Sequence, residues 1–205
     1  MTAVARRKTY HHGDLRNALL AAALELLAGA SPEELTLREV ARRVGVNHRA
    51  VYRHFADKTA LLAAVAESGY RALIERLEAA RAASPRGNPE KRLLALAQAY
   101  VAFAVDHHAY YRIMFGRRLN EEGRFPELEA HAAAAFELIA GELAAGQQAG
   151  KVADWPVREA VFTFWSLAHG FSSLILARRI KVKRPLLDAY AAQIAAPLLA
   201  GLRTR

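Results

Sequence analysis

Apolar residues recur every three to four positions along the chain, and no stretch alternates apolar with polar as a half-buried strand does. The pattern therefore predicts helices throughout and an all-α fold. Leu15, Leu19, Ala22, Ala23, Leu26 and Leu27 mark a first helix that ends near Gly29. Thr36 stands before "LREVARRVG" with Glu39 three places on, a capping-box arrangement that starts a second helix. Gly45 tolerates the positive φ that a helix stop often requires. Asn47 can cap a third helix, and Asp57 a fourth running from about Lys58 to Ala82. The stretch "ASPRGNPE" (83–90) reads as a loop and a candidate boundary between modules, with Pro89 and Glu90 suited to a first helical turn. Further helices fit 89–107, 109–115, 126–147, 155–179 and 185–202.

The second and third helices are short and joined by a tight turn. Leu37, Val40, Ala41 and Val44 can pack against Val46, Ala50, Val51 and Phe55, the apolar signature of a helix-turn-helix braced by the first helix. In "VNHRAVYRHF" (46–55), Val51 and Phe55 fall on one side, and His48, Arg49, Tyr52 and Arg53 on the other side or its flanks. A helix end so rich in hydrogen-bonding groups fits a DNA major groove.

Composition narrows the function classes. The 205 residues are 53% hydrophobic, enough for a packed core, and carry a formal charge of +9. Residues 1–60 hold ten Lys/Arg against six Asp/Glu, so the charge leans toward the helix-turn-helix. Net charge alone does not choose between nucleic acid, lipid headgroups and solubility. The absence of cysteine removes disulfide and thiolate chemistry and is compatible with a cytoplasmic protein. Asp14, Arg16 and Glu25 interrupt the N-terminal apolar run, against a signal peptide. Ala160–Ala177 holds no Asp, Glu, Lys or Arg, yet carries six small or polar breaks and has no second segment like it. A helix buried on nearly all sides, in a core or a subunit interface, accounts for it better than a membrane span. The histidine pairs 11–12 and 107–108 are adjacent, so their members do not share a helix face, and no HExxH, GxGxxG, P-loop or GxSxG occurs. No metal, no cofactor and no enzymatic step are expected.

The segment "LTLREVARRVGVNHRAVYRHFADKTALL" (35–62), preceded by the helix at 14–28, resembles the TetR/AcrR family of bacterial transcription repressors. "WSLAHG" (165–170) is similar to the Trp-His-Gly signature of one subgroup's C-terminal domain. The resemblance implies an all-helical homodimer: a flexible arm at 1–12, a helix-turn-helix DNA-binding domain at 13–57, and a linker helix with a ligand-binding and dimerisation bundle at 58–205. It implies DNA contacts from Thr36, Arg38, Asn47, His48, Arg49, Ala50, Tyr52, Arg53, His54 and Lys58. Asn47, His48 and Arg49 would enter the groove, while Tyr52, His54 and Lys58 would hold phosphates. Four have plainer alternatives: Thr36 as a helix cap, Arg38 as a solvated charge, and Ala50 and Tyr52 as core; Arg42 and Arg43 are expected as general backbone attraction or surface charge.

Phe103, Tyr111, Phe162 and Trp165, with His107, Met114 and His169 as polar or adaptable neighbours, are candidates to line an effector cavity. The expected partners are double-stranded operator DNA, a small-molecule effector and a second copy of the chain, paired through the last two helices. Ala168, Ser172 and Ser173 would face that second copy. The basic run "RRIKVKR" (178–184) is expected as a solvated loop. A helical ligand-sequestering protein with a vestigial DNA module is the alternative, and an enzyme on a helical bundle a third.

Overall fold

The computed structural model describes residues 12–121 and 123–202, and every α or 3-10 element among them is helical. In chain order they are α1 (His12–Gly29), α2 (Leu37–Val44), α3 (His48–Tyr52), α4 (Lys58–Ala83), α5 (Pro89–Asp106), α6 (His108–Met114), α7 (Pro126–Gln148), α8 (Val157–Leu176) and α9 (Leu187–Gly201). A 3-10 turn, Arg184–Leu186, leads into α9. The chain divides into two compact units, one ending at Val65 and one starting at Ala66. The division lies inside α4. The expected arm at 1–12 falls outside the described residues, except His12, which opens α1.

Local capping chemistry sets the ends of the short helices in the first unit. Thr36 Oγ1 accepts the Glu39 backbone N–H at 3.2 Å, and Asn47 Oδ1 accepts that of Arg49 at 2.9 Å. Asp57 Oδ1 does the same for Ala60 at 2.8 Å. Each cap is worth about 1 kcal/mol. Gly45 ends α2 at φ 78°, where a side chain would be strained. α3 is a single short turn of helix that ends at Tyr52, and Arg53 and His54 lie in the turn after it. Leu19, Ala23 and Leu27 from α1 join Val40, Val51 and Phe55 in a closed core. Full burial of Val51 and Phe55 contributes about 1.5–3 kcal/mol each. Arg16 places its guanidinium over the Phe55 ring, 5.5 Å from the centroid.

α5 is the central helix of the second unit, packed against α7, α8 and α9 and buried from Ala99 through Ala104. α8 is not buried all round. Ala160, Val161, Phe164, Ala168, Phe171 and Ser172 face inward, whereas Phe162 and Leu174 are more than 40% exposed. Ala168 and Ser172 therefore belong to the interior, and Ser173 Oγ bonds inward to Tyr111, contrary to their expected place on a subunit interface. The helix carries apolar residues on both faces, so sequence periodicity could not tell inside from outside.

The basic run also differs from expectation at its end. The Arg184 guanidinium donates twice to the Asp106 carboxylate, at 2.8 and 2.9 Å, and Arg76 joins at 3.0 Å. These hydrogen bonds, Arg184's first, hold the Asp106 carboxyl below its usual range despite some opposing burial. Among the described residues, no helix is long and apolar enough to cross a membrane.

Candidate nucleic-acid interface and an aromatic chamber

With Leu37, Val40, Ala41, Val51 and Phe55 turned into the core, the remaining positions of α2 and α3 are exposed or half-buried. Thr36, Arg38, Asn47, His48, Arg49, Tyr52 and Arg53 are exposed, and Ala50, His54 and Lys58 are half-buried. Tyr52 is 52% exposed, which removes its core reading. The arginines divide into two kinds. Arg43 pairs with Glu25 at 2.8 Å and Arg42 with Glu39 at 3.5 Å. Arg38, Arg49 and Arg53 have no carboxylate partner among the described residues. Their charge stays available to an anion, while that of Arg42 and Arg43 is partly neutralised.

Side-chain donors complete the surface. Thr36 and Asn47 use their oxygens as acceptors for the helix caps, which leaves the Thr36 O–H and the Asn47 amide N–H groups to donate outward. Lys58 Nζ donates to the Glu33 carbonyl at 2.7 Å, fixing one cation at the start of α4. All ten residues expected at a DNA surface thus lie on or beside α2, α3 and the start of α4.

The second unit holds a chamber of about 200 Å³. α4 contributes Tyr70, Leu73 and Leu77, and α7 contributes Ala132, Ala135, Phe136 and Ile139; Tyr100, Phe115, Phe162 and Trp165 complete the wall. Of the seven positions read from sequence, Phe162 and Trp165 line it. Met114 lines an adjoining cavity of about 140 Å³ that shares Tyr70 and Ala132 with the chamber. Phe103 is core, and His107 is exposed at the end of α5. The α4 and α7 contributions were missed. Their signal is present as helical spacing, Tyr70-Leu73-Leu77 and Ala132-Ala135-Phe136-Ile139, with alanines leaving room where larger residues would fill it.

Tyr111 and His169 form a hydrogen-bonded layer behind the wall. Trp165 Nε1 donates to the Tyr100 hydroxyl at 3.2 Å, and the Tyr100 and Tyr111 hydroxyls each lie 2.9 Å from His169 Nδ1. One imidazole lone pair takes one proton. The arrangement that satisfies the layer has Tyr100 donating to Nδ1 and Tyr111 donating to the His169 carbonyl at 3.1 Å. Burial lowers the His169 pKa, favouring the neutral ring this requires, and burial raises both tyrosines. Close to the chamber, α4 and α6 approach at Gly69, where a Cβ would sit 2.6 Å from Met114 Sδ.

Along α8 and α9 runs an open groove lined by Phe162, Thr163, Ser166, Leu167, Gln193, Ile194, Pro197 and Leu198. Leu174, Leu186 and Tyr190 extend this exposed apolar surface.

Comparison with known proteins agrees with this geometry. Residues 19–65 match the family described as "Bacterial regulatory proteins, tetR family", and residues 93–196 match "Tetracyclin repressor-like, C-terminal domain". The Escherichia coli tetracycline repressor protein class C is 49% identical over 53 residues, 26% of this chain and 24% of that protein. The chain thus aligns with about a quarter of that curated relative's length. A solved Rhodococcus sp. RHA1 protein of unknown function is 30% identical, with 97% of this chain and 100% of that one covered at a TM-score of 0.85. A bacterial regulatory protein in the tetR family from Rhodococcus RHA1 is 22% identical, covering 93% and 97% of the two chains at a TM-score of 0.74. Two family matches in sequence order, over a helix-turn-helix and a helical bundle, have one reading: this chain belongs to the TetR family of transcriptional regulators.

Proposed function

We propose that the chain is a cytoplasmic, dimeric repressor that binds operator DNA through α2 and α3 and is released or recruited by a small molecule held in the aromatic chamber. The observation that carries this reading is the set of exposed cations Arg38, Arg49 and Arg53, without a carboxylate partner among the described residues, with the exposed Thr36 and Asn47 donors on or beside the same two short helices. Arg49 in a major groove can donate to guanine O6 and N7 together, worth about 1–3 kcal/mol of discrimination. Arg53, Tyr52, His54 and Lys58 serve the phosphates, and His48 and Ala50 meet neighbouring base edges. Binding carries no chemical step.

Two recognition helices on successive major grooves must be about 34–36 Å apart, so a second copy is needed. The exposed apolar surface of α8 and α9 supports that pairing, because a patch rimmed by polar groups favours burial against its like. Occupancy of the chamber biases the position of α4, which both units share. Coupling of about 1–3 kcal/mol suffices for a useful response. Fluorescence anisotropy with a duplex selected from a random pool, against scrambled DNA, tests the reading. Equal affinity for both duplexes would overturn sequence-specific regulation.

A further inference from the structure

The lining of the chamber limits what can occupy it. Six of its eleven lining residues are aromatic, and none is Asp, Glu, Lys, Arg or His. An ion held among these walls would lose hydration and find no charged group in the lining itself; the cations close by are Arg117 and Arg118 of the adjoining cavity and Arg158, 5.4 Å from the Phe162 ring centroid. The rings stand tilted or edge-on to one another: Phe136 and Phe162 at 60° with centroids 5.4 Å apart, Tyr70 and Phe115 at 75° and 5.8 Å. Such walls offer both faces and edges to a further flat ring, the geometry aromatic pairs prefer. The volume of about 200 Å³ lies between the ~150 Å³ void that takes benzene and the ~300 Å³ at which drug-sized pockets begin. A bicyclic ring system fits that interval.

One polar handle remains. The Tyr100 hydroxyl is committed to Trp165 and His169. The Tyr70 hydroxyl has no hydrogen-bond partner among the described residues, although the side chain is buried and borders both cavities. Burial first, then the Glu129 charge, pushes its pKa up to about 12, so it stays a neutral donor.

Building on the proposed effector chamber, we infer that its ligand is a neutral bicyclic aromatic molecule with one hydrogen-bond acceptor, and that Tyr70 selects for that acceptor. The ring system stacks between the aromatic walls, and the acceptor receives the Tyr70 O–H. The uncharged lining disfavours a carboxylate inside the chamber, so an anionic amphiphile would have to leave its head group in the adjoining cavity beside Arg117 and Arg118.

Equilibrium dialysis of the full chain against 2-acetylnaphthalene, naphthalene, 2-naphthoate and decanoate tests this. The ketone is expected to bind at least about tenfold more tightly than either carboxylate. Tyr70→Phe should lower the preference for the ketone over naphthalene by about fivefold, the scale of one neutral hydrogen bond. Ile139→Trp fills the chamber and should abolish binding; Ala135→Phe, also on α7, replaces it if circular dichroism shows the first variant unfolded. A carboxylate binding as tightly as the ketone, and lost in the filled variant, would overturn the ligand class while leaving the chamber as the effector site. Binding that survives in a folded, filled variant would overturn the chamber reading itself. No binding of the neutral probes to folded wild-type protein would also overturn the class.

Discussion

The two units expose opposite kinds of surface. In the first, packing is complete: Leu19, Val40, Val51 and Phe55 are buried, and what faces water is cationic or hydrogen-bonding. In the second, apolar packing is left unfinished twice, as a void inside and as an uncovered face on α8 and α9. Phe162 borders both of these apolar surfaces. A small closed core carrying loose polar groups suits a partner recognised by charge and hydrogen bonds. A bundle with apolar surface left over suits partners that complete it, a ligand within and a second copy outside.

The largest expected effect comes from breaking the outer apolar face. Leu174→Arg or Ile194→Arg should give monomers that retain their helical circular dichroism. Their operator affinity should fall by about 10²–10⁴-fold, because the second half-site is no longer held near the first. Sedimentation showing these variants still dimeric would remove α8 and α9 from the interface.

Next in size is the split within the cationic face. Arg49→Ala should cost about 1–3 kcal/mol on the preferred duplex and relax selectivity at one base step per half-site. Tyr52→Phe and Lys58→Ala should weaken preferred and scrambled duplexes alike, since phosphates carry no base identity. Arg43→Ala and Arg42→Ala should change binding least of the arginines, because Glu25 and Glu39 already pair with them. Equal losses from Arg49→Ala on every duplex would erase the distinction between reading and holding.

A smaller effect probes the layer behind the chamber. The depressed His169 pKa means its contribution to stability is present above the unfolded value of about 6.5 and is lost as pH falls through the folded value. His169→Gln should keep an acceptor toward Tyr100 without titrating. The urea midpoint of the wild type should therefore drop relative to this variant between about pH 7 and pH 5. A constant difference would show that the ring does not titrate in place.

The smallest effect belongs to Asp106. Its lowered pKa gives stability that is present above about 3.9 and lost as pH falls through the folded value. Asp106→Asn should cost about 1 kcal/mol or less near neutrality, since Asp106 and Arg184 are both part-exposed, and the difference should shrink in acid. Thermal unfolding across that pH range measures it.

Much of this fold was legible in the sequence because its signals are local. Thr36, Gly45, Asn47 and Asp57 act within a few residues of themselves, so their caps could be read without neighbours. The outward face of α2 and α3 followed from Val51 and Phe55 for the same reason. The chamber was not legible as a whole, because it depends on which faces of several helices converge. Phe162 and Trp165 stood out by residue type, while Ala132 and Ala135 matter through the space they leave. On α8 the apolar residues extend around the helix, so Ala168 and Ser172 gave no sign of their inward direction. Arg184 looked like the rest of its basic run until Asp106, far along the chain, was brought beside it.

Salt dependence of binding tests the account's central claim most directly, namely that cations of the first unit engage DNA phosphates. If Arg38, Arg53 and Lys58 of each protomer neutralise phosphates, a dimer releases counterions at about six positions, and affinity should fall on the order of 10³-fold between 50 and 200 mM salt. Anisotropy titrations on a selected duplex should therefore give a steep linear plot of log affinity against log salt concentration. An affinity unchanged over that range would contradict the proposed interface.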